Sequence, residues 1–531
     1  MSATFTSAPG APGVLADDEL VASVEAVSGM LERIAADWGV LDRLPAAERQ
    51  RFHLAVASVY NPDPVSRRHR VKARERERKA RGAERDEAVL HETGIRSLRR
   101  RPVFTTPNVF APADFDPADV TPAADDHGEG PAGVTPQHCY VCKQHYTEIH
   151  HFYDQLCPSC ADVNFAKRTE LADLRGRVAL LTGGRVKIGY QAGLKLLRSG
   201  AHLIVTTRFP RNAARRYAAE SDFMDWRDRL EIVGLDLRHT PSVEAFCRGM
   251  LATRTRLDFI INNACQTVRR PPEFYAHMMA EESAALAQMP AHVRQLIDRS
   301  DAATVQRAGR HGHQEMAETT LSPALDAPIG LTHAASLSQV RLLPEDLLSG
   351  PELFPDGQLD QDLQQVDLRG RNSWRLLLDE VSSVEVLEVQ LVNAVAPFII
   401  NARLKPLMLR TPDRDKHIVN VSAVEGQFYR RFKTTRHPHT NMAKAALNMM
   451  TRTAAADYQA DGIHMNSVDT GWVTDEDPEH VAARKTAEQG FHPPLDIADG
   501  AARITDPIID GVNTGRHMWG QFLKDYKPAD W

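Results

Sequence analysis

The stretch Arg177-Val178-Ala179-Leu180-Leu181-Thr182-Gly183-Gly184-Arg185-Val186-Lys187-Ile188-Gly189 decides the reading of this chain. A short apolar run ends in a glycine-rich turn, and a helical pattern from Gln191 to Leu197 follows at once. Strand, tight turn and helix in that order aim the free N–H groups and positive dipole end of a helix at whatever rests over the turn. Such a spot suits phosphate, and glycines let a pyrophosphate approach the backbone closely. Many strand–helix units share a turn of this kind, so the downstream sequence decides.

Short apolar runs recur at Leu203–Thr206, Leu230–Leu235, Leu257–Ile261, His417–Val421 and His464–Val468, with helical stretches between most of them. This alternation predicts an α/β fold, a parallel sheet doubly wound by right-handed crossovers (a Rossmann arrangement), with ligands at the carboxyl ends of the strands.

At 531 residues the chain exceeds one ordinary domain, and two or three units are expected. A net charge of −6 and an ordinary globular composition single out no class of partner. No apolar run is long enough to cross a bilayer, and Met1–Gly13 lacks the basic and apolar regions of a signal peptide. The expected location is cytoplasmic, without a membrane partner.

Residues 1–104 form a helical N-terminal region in this reading, after a Pro/Gly-rich start. Leu20, Val24, Val27, Leu31 and Ile34 recur at helical spacing, and Asn61-Pro62-Asp63-Pro64 breaks the pattern. The basic run Arg67–Arg81 reads as a solvated helix with Glu75 and Lys79 paired at i,i+4. No aromatic residues interleave its charges as a stacking platform requires, so nucleic acid is not an expected partner. Residues 105–136, rich in Pro, Ala and Asp, read as a linker.

A knuckle module follows over 137–165. Cys139-x-x-Cys142 and Cys157-x-x-Cys160 are separated by fourteen residues, the spacing of a four-thiolate zinc site. Each pair presents two thiolates on a turn, and the hairpin between them lets four sulfurs close a tetrahedron. Four sulfurs leave no open position, so the metal is expected to be structural. His138, His145, His150 and His151 read as bystanders to a single zinc.

Within a unit spanning 170–531, about residues 170–265 and 385–531 resemble the short-chain dehydrogenase/reductase superfamily, through several motifs in the right order. Thr182-Gly183-x-x-x-Lys187-Ile188-Gly189 stands where the family has its glycine-rich turn, which the resemblance makes a cofactor site together with Arg185. Asp236-Leu237 corresponds to the pair that holds the adenine ring, and Asn262-Asn263-Ala264-Cys265 to the family's N-N-A-G. Asn393 matches the helix asparagine, Ser422 the active-site serine, and Lys444 the active-site lysine that also holds the nicotinamide ribose. Thr470-Gly471-Trp472-Val473 stands for the loop beside the nicotinamide. The resemblance also implies pairing of subunits through the helices after Asn393 and Lys444.

Cofactor choice has a physical argument. An acid at the end of the second strand would bind the ribose 2′-hydroxyl of NAD. Here that strand ends Val205-Thr206-Thr207-Arg208-Phe209-Pro210-Arg211, without a carboxylate. Arg208 is placed to pair with a 2′-phosphate, supported by Arg211, which favours NADP over NAD.

The pattern breaks at one point that matters. In active members a tyrosine four residues before the lysine handles the proton; here that position is Thr440. An aliphatic hydroxyl is a poor acid or base beside a phenol. Lys187 also replaces the middle glycine of the turn. Three accounts stay open. Tyr429, which spells Y-x-x-x-K with Lys433 but lacks the helix that should follow, folds back over Ser422. Alternatively His437 or His439 supplies the proton. In the third account the site is a relic.

Between Cys265 and Leu387 lie about 120 residues where such crossovers are normally short. This insertion, about 267–385, is placed to form a lid or a partner surface. Within it, Glu281–Arg299 reads as helical, Ser300–Gln339 as mobile, and Val366–Val386 as re-entering ordered structure. Two functions compete: an NADP-dependent oxidoreductase acting on a small carbonyl or alcohol, and a catalytically silent nucleotide-binding scaffold or sensor. The scaffold would recruit a protein through the zinc module or the insertion.

Overall fold

The computed structural model describes residues 17–60, 84–104, 132–284, 288–297, 333–429 and 433–531, with single positions and pairs between these stretches. The basic run Arg67–Arg81 and the linker before residue 132 lie almost entirely outside them, as do residues 298–330 of the insertion.

Two compact units divide the chain, Met1–Arg85 and Asp86–Trp531. In the first, helices span Asp17–Ala36, Gly39–Asp42 and Ala46–Tyr60. Leu41 is buried there, whereas Val24 and Val27 of the expected apolar stripe remain exposed. The second unit begins earlier than the composition suggests. Ile95, in the helix Gly94–Arg99, is fully buried among Tyr153, Leu156 and Ile497. The strand Ala132–His138 likewise begins inside the stretch read as linker, because it pairs antiparallel with His145–Glu148 to form the knuckle hairpin.

The core of the second unit is an eight-stranded sheet. Its strands are β1 (Val178–Thr182), β2 (His202–Thr207), β3 (Leu230–Gly234), β4 (Phe259–Asn262), β5 (Lys416–Ser422), β6 (Ile463–Asp469), β7 (Phe522–Lys524) and β8 (Lys527–Ala529). They lie in the order β8-β7-β6-β5-β4-β1-β2-β3, all parallel except the β7–β8 pair. The order reverses between β1 and β4, which opens a crevice at their carboxyl ends. Side chains alternate between faces with the period of a strand. Leu181, Val205, Ile232 and Ile261 point into one core, and Leu180, Ile204, Val233 and Ile260 into the other.

Helices α1 (Lys187–Arg198), α2 (Pro210–Ala218), α3 (Thr240–Thr253), α4 (Pro272–Ser283), α5 (Ser383–Met408), α6 (Pro438–Ala460) and α7 (Ile497–Thr514) complete the layers. α1 and α7 cover the first face through Leu194, Leu197, Ile504 and Ile508. α3 and α5 cover the second through Val243, Phe246, Ile400 and Leu404. Composition favours helix starts at the crevice: Pro210 opens α2, and Asp496 caps α7 with Asp499 completing a capping box.

At 26 residues α5 is the one helix among the described residues long and apolar enough to cross a membrane, a length that no single apolar run in the sequence suggests. Its Ile400, Leu404 and Leu407 are fully buried against the sheet and α3, as befits a core helix. A π-helical turn, Leu391–Val395, interrupts it at Asn393.

The insertion is more ordered than its composition suggests. Helix α4 starts before the expected Glu281 and stops at Ser283; residues 291–297 form a separate helical turn with Leu296 buried in the main core. Ala334 and Ala335, from the stretch read as mobile, are buried in a helical turn. Ion pairs fasten the remainder to the sheet's upper edge: Arg269 to Asp346 and Glu388, Arg270 to Asp367, and Arg375 to Asp477.

Candidate functional site

The crevice widens into a cavity of about 530 Å³. Its floor is the turn after β1. Gly183 adopts a left-handed φ of 71°, and a Cβ there would stand 2.8 Å from Ala264 Cα. A Cβ at Gly189 would meet Gly183 O at 2.3 Å and Asn263 Nδ2 at 2.4 Å, so both positions demand glycine. Asn263 Nδ2 donates to Thr182 O and Gly183 O at 3.2 and 3.1 Å, and Ala264 N donates to Thr182 Oγ1 at 3.0 Å. These bonds hold the end of β4 against the turn. Ile188 lines the cavity beside them.

Lys187 takes φ 53°, a conformation uncommon for a residue with a Cβ. Its ammonium lines the cavity and faces Glu476, Asp362 and Asp360; burial lowers its pKa, but Glu476 and the other carboxylates outweigh it and raise the value.

At one end of the cavity stand arginines. Arg208 Nη2 donates to Tyr275 Oη at 2.9 Å, and its guanidinium lies over the Tyr275 and Phe209 rings at 4.8 and 5.5 Å. Burial raises the Tyr275 phenol, yet the Arg208 charge holds it below its ordinary range. Arg185 is buried, donates to Asn212 Oδ1 at 3.0 Å and packs over Phe209 at 5.4 Å. Burial, with the charges of Arg216 and Arg208 adding to it, pushes its pKa down to about 10. Burial is the larger cause, and the neighbouring arginines make this end of the cavity electropositive, which suits an anion. Arg211 departs from expectation. It donates to Glu281 O at 3.1 Å, turned toward α4, and is absent from the cavity lining. Asp236 and Leu237 line the cavity, but the Asp236 carboxylate is taken by Arg238, whose Nη2 lies 2.7 Å away.

The other end carries Ser422 and Lys444. Ser422 is buried, and its Oγ donates to Asn448 Oδ1 at 2.6 Å. Lys444 Nζ donates to Val421 O at 2.8 Å. Asn393 sits outside the lining, where the π-helical turn aims its amide at Gln266. Its Oδ1 accepts from Gln266 N at 2.8 Å and its Nδ2 donates to Gln266 O at 3.1 Å. Thr440 is buried, outside the lining, with no partner for its hydroxyl among the described residues.

The candidate substitutes for the proton-handling tyrosine stand apart. Tyr429 is 53% exposed and does not fold back over Ser422. His437 stacks on Trp374 at 3.7 Å with the rings 6° from parallel, and His439 packs 3.5 Å from Glu385; neither lines the cavity. Gly471 and Val473 do not line it either. Val473 is buried against the knuckle module, while Thr470 and Thr474 on either side face the cavity.

Sequence reading missed the roof. Asp360, Gln364, Asp367, Arg369 and Asn372 from the insertion line the cavity, with Glu476 and Asp477 from the loop after β6. Asn372 Nδ2 donates to Glu476 O at 2.9 Å, joining the two roof segments. No spacing in the sequence links residues a hundred positions apart. Arg238 could have been noticed, two residues beyond Asp236.

In the knuckle, the Sγ atoms of Cys139, Cys142, Cys157 and Cys160 lie within 4.8 Å of one another, and those of Cys142 and Cys157 are 3.7 Å apart. Zn–S bonds of about 2.3 Å put the sulfurs of a tetrahedral site about 3.8 Å apart, so the four thiols fit such an ion. None of the neighbouring histidines belongs to this group.

Residues 177–316 match the family described as short chain dehydrogenase, and residues 375–493 match the one described as Enoyl-(Acyl carrier protein) reductase. The chain is 28% identical over 397 residues to Uncharacterized protein R665 of Acanthamoeba polyphaga mimivirus, covering 73% of this chain and 74% of the viral one. Against Dehydrogenase/reductase SDR family member 13 of Bos taurus it is 36% identical over 107 residues, 19% of this chain and 28% of the bovine protein. Among solved structures it is similar to the Pseudomonas aeruginosa RhlG/NADP active-site complex, with a TM-score of 0.40 at 15% identity over 66% of this chain and 95% of that one.

Proposed function

Because the chain belongs to the short-chain dehydrogenase/reductase superfamily, we propose that its cavity binds NADP and that the protein interconverts a small carbonyl compound and its alcohol. The observation that carries this reading is the Arg185–Arg208 pair around Phe209, buried positive charge at the end of a strand that ends without a carboxylate. The nucleotide, when bound, supplies or accepts the hydride.

The chain's own residues do the rest. The Gly183–Gly189 turn and the first N–H groups of α1 receive the pyrophosphate, with Asp236, Leu237, Asn263 and Ala264 framing the adenosine half. Arg208 grips the 2′-phosphate through charge-assisted hydrogen bonds. Lys444 holds the nicotinamide ribose, and the Thr470–Val473 loop backs the ring. Ser422, on turning from Asn448, meets the substrate oxygen, while Asn393 orders the water that relays the proton. Thr440 is too weak an acid to substitute for a phenol. A zinc ion on Cys139, Cys142, Cys157 and Cys160 cross-links the knuckle and leaves no position open to substrate.

Calorimetric titration with NADPH and NADH, followed by turnover on a panel of carbonyl compounds, tests the proposal. NADPH binding tighter than NADH, with turnover, is the expected result; absence of nucleotide binding overturns it. The buried, unpartnered Thr440 and the exposed Tyr429 favour a second reading, a nucleotide-binding scaffold without turnover. Binding without turnover on any substrate selects that reading.

A further inference from the structure

We propose that the cysteine knuckle is a working wall of the cavity, with Tyr140 as the positioning residue through which zinc occupancy sets affinity for the nicotinamide half of the nucleotide. The inference rests on the dinucleotide reading above.

The loop after β6 explains why. Gly471 has a φ of 75°, and a Cβ there would stand 2.5 Å from Leu495 Cδ1 and 3.5 Å from Tyr140 Oη, so the loop is pressed against the module. Trp472 N donates to Tyr140 Oη at 2.9 Å. Val473 is buried in the same apolar cluster as Cys139, Cys157 and Tyr153, with Ile188 of the phosphate-binding turn packed on it. This braced stretch is flanked by Thr470 and Thr474, which face the cavity.

Tyr140, in turn, depends on both halves of the cysteine set. It lies within the first knuckle, between Cys139 and Cys142, and its N donates to Gln155 O at 2.8 Å, two residues before Cys157. Cys139 N donates to Gln144 O at 2.9 Å, closing the first knuckle turn. Two ammonium groups lie over its ring, Lys143 Nζ at 4.9 Å and Lys524 Nζ at 5.5 Å from the centroid. Without an ion the two turns are left to these backbone bonds and to the apolar cluster that buries Cys139 and Cys157, while the more open Cys142 and Cys160 lose their tie. Metal removal therefore loosens the turn that aims the phenol, and the Trp472 amide loses its acceptor. Among the described residues the arginine end of the cavity has no such tie to the module; Arg208 leans on Tyr275 and Phe209 instead.

The experiment compares the full chain as purified, the chain stripped of metal by a mercurial and chelator, and Tyr140→Phe, which keeps all four cysteines. Zinc content, melting temperature, affinity for NADPH, affinity for 2′,5′-ADP and amide exchange over residues 470–477 are measured on each. One zinc per chain is expected. Tyr140→Phe should keep its zinc and its melting temperature, bind NADPH about three- to tenfold more weakly, as loss of one hydrogen bond implies, and bind 2′,5′-ADP unchanged. Exchange at Trp472 should quicken in this variant and in stripped protein. A purified chain without zinc overturns the proposal, as does Tyr140→Phe with unaltered NADPH affinity, or with equal weakening of both ligands, the mark of a merely structural residue. Should the wild-type chain bind no NADPH, the dinucleotide reading falls separately, and the exchange data alone judge the tether: quickening upholds it, no change refutes it.

Discussion

Lys187 and Glu476 both line the cavity, and each is the other's leading electrostatic partner. Lys187 stands where glycine would leave the turn bare, and Glu476 belongs to the roof that covers it. A carboxylate so placed would compete with the pyrophosphate of the proposed nucleotide for the ammonium.

Replacing Glu476 with Gln should therefore release Lys187 toward the phosphates. A screened pair worth under about 1 kcal/mol predicts NADPH binding about three- to fivefold tighter, with the gain shrinking at high salt. Titration at two salt concentrations checks this. Weaker binding would show instead that Glu476 holds Lys187 in its binding pose.

Arg208→Ala removes the expected partner of the 2′-phosphate. Hydrogen bonds to charged groups are worth about 1.5–3 kcal/mol, which predicts about a 10- to 100-fold loss of NADPH affinity. NADH affinity should hardly move. Equal losses for both nucleotides would place Arg208 outside the phosphate site.

Thr440→Val asks whether the buried hydroxyl has work to do. Since it has no partner among the described residues, its removal should leave turnover intact and raise stability by about 1 kcal/mol. A tenfold or greater loss of turnover, with folding intact, would make Thr440 the proton-handling group after all.

Stability should fall on mild acidification. His417 and His464 sit together at the amino ends of β5 and β6, with His417 Nε2 2.9 Å from His517 Nδ1. Burial first, then the neighbouring imidazoles, holds His417 well below its ordinary pKa; burial likewise lowers His464, and His517 adds to it. The folded values lie below the unfolded value of about 6.5, so the unfolded chain binds more protons as pH drops. The contribution is complete above that pH and is lost as pH falls toward the folded values. Urea midpoints should decline from pH 7.5 to 5, and His417→Met should flatten the decline. A flat wild-type profile would contradict it.

What could be read in advance follows physical range. The β1 turn, the strand alternation and the cysteine spacing are local patterns whose causes lie within a dozen residues, and the sheet and the gathered thiols follow them. Arg208 was legible because strand-end position fixes where a side chain points. Arg211, three residues on, was not, since its direction depends on Glu281 of α4 and on Ala284 just beyond it. The roof was invisible for the same reason: Asp360 and Glu476 meet Lys187 only through tertiary packing. Tyr429 is the converse case: its Y-x-x-x-K spelling lacks the helix that would give it meaning, and the side chain stays exposed instead of folding back over Ser422.

One consequence concerns assembly. The insertion separates the chain into two blocks, β1–β4 and β5–β8, and the blocks meet where Ile260 pairs with Ile418 across more than 150 intervening positions. Arg208 comes with the first block and Lys444 with the second, so a nucleotide held as proposed would find both of its grips only once the blocks have met. Such distant pairing is slow to form and leaves strand edges open in the interim. A ligand that spans the seam recognises only finished molecules, and by mass action draws the population toward them.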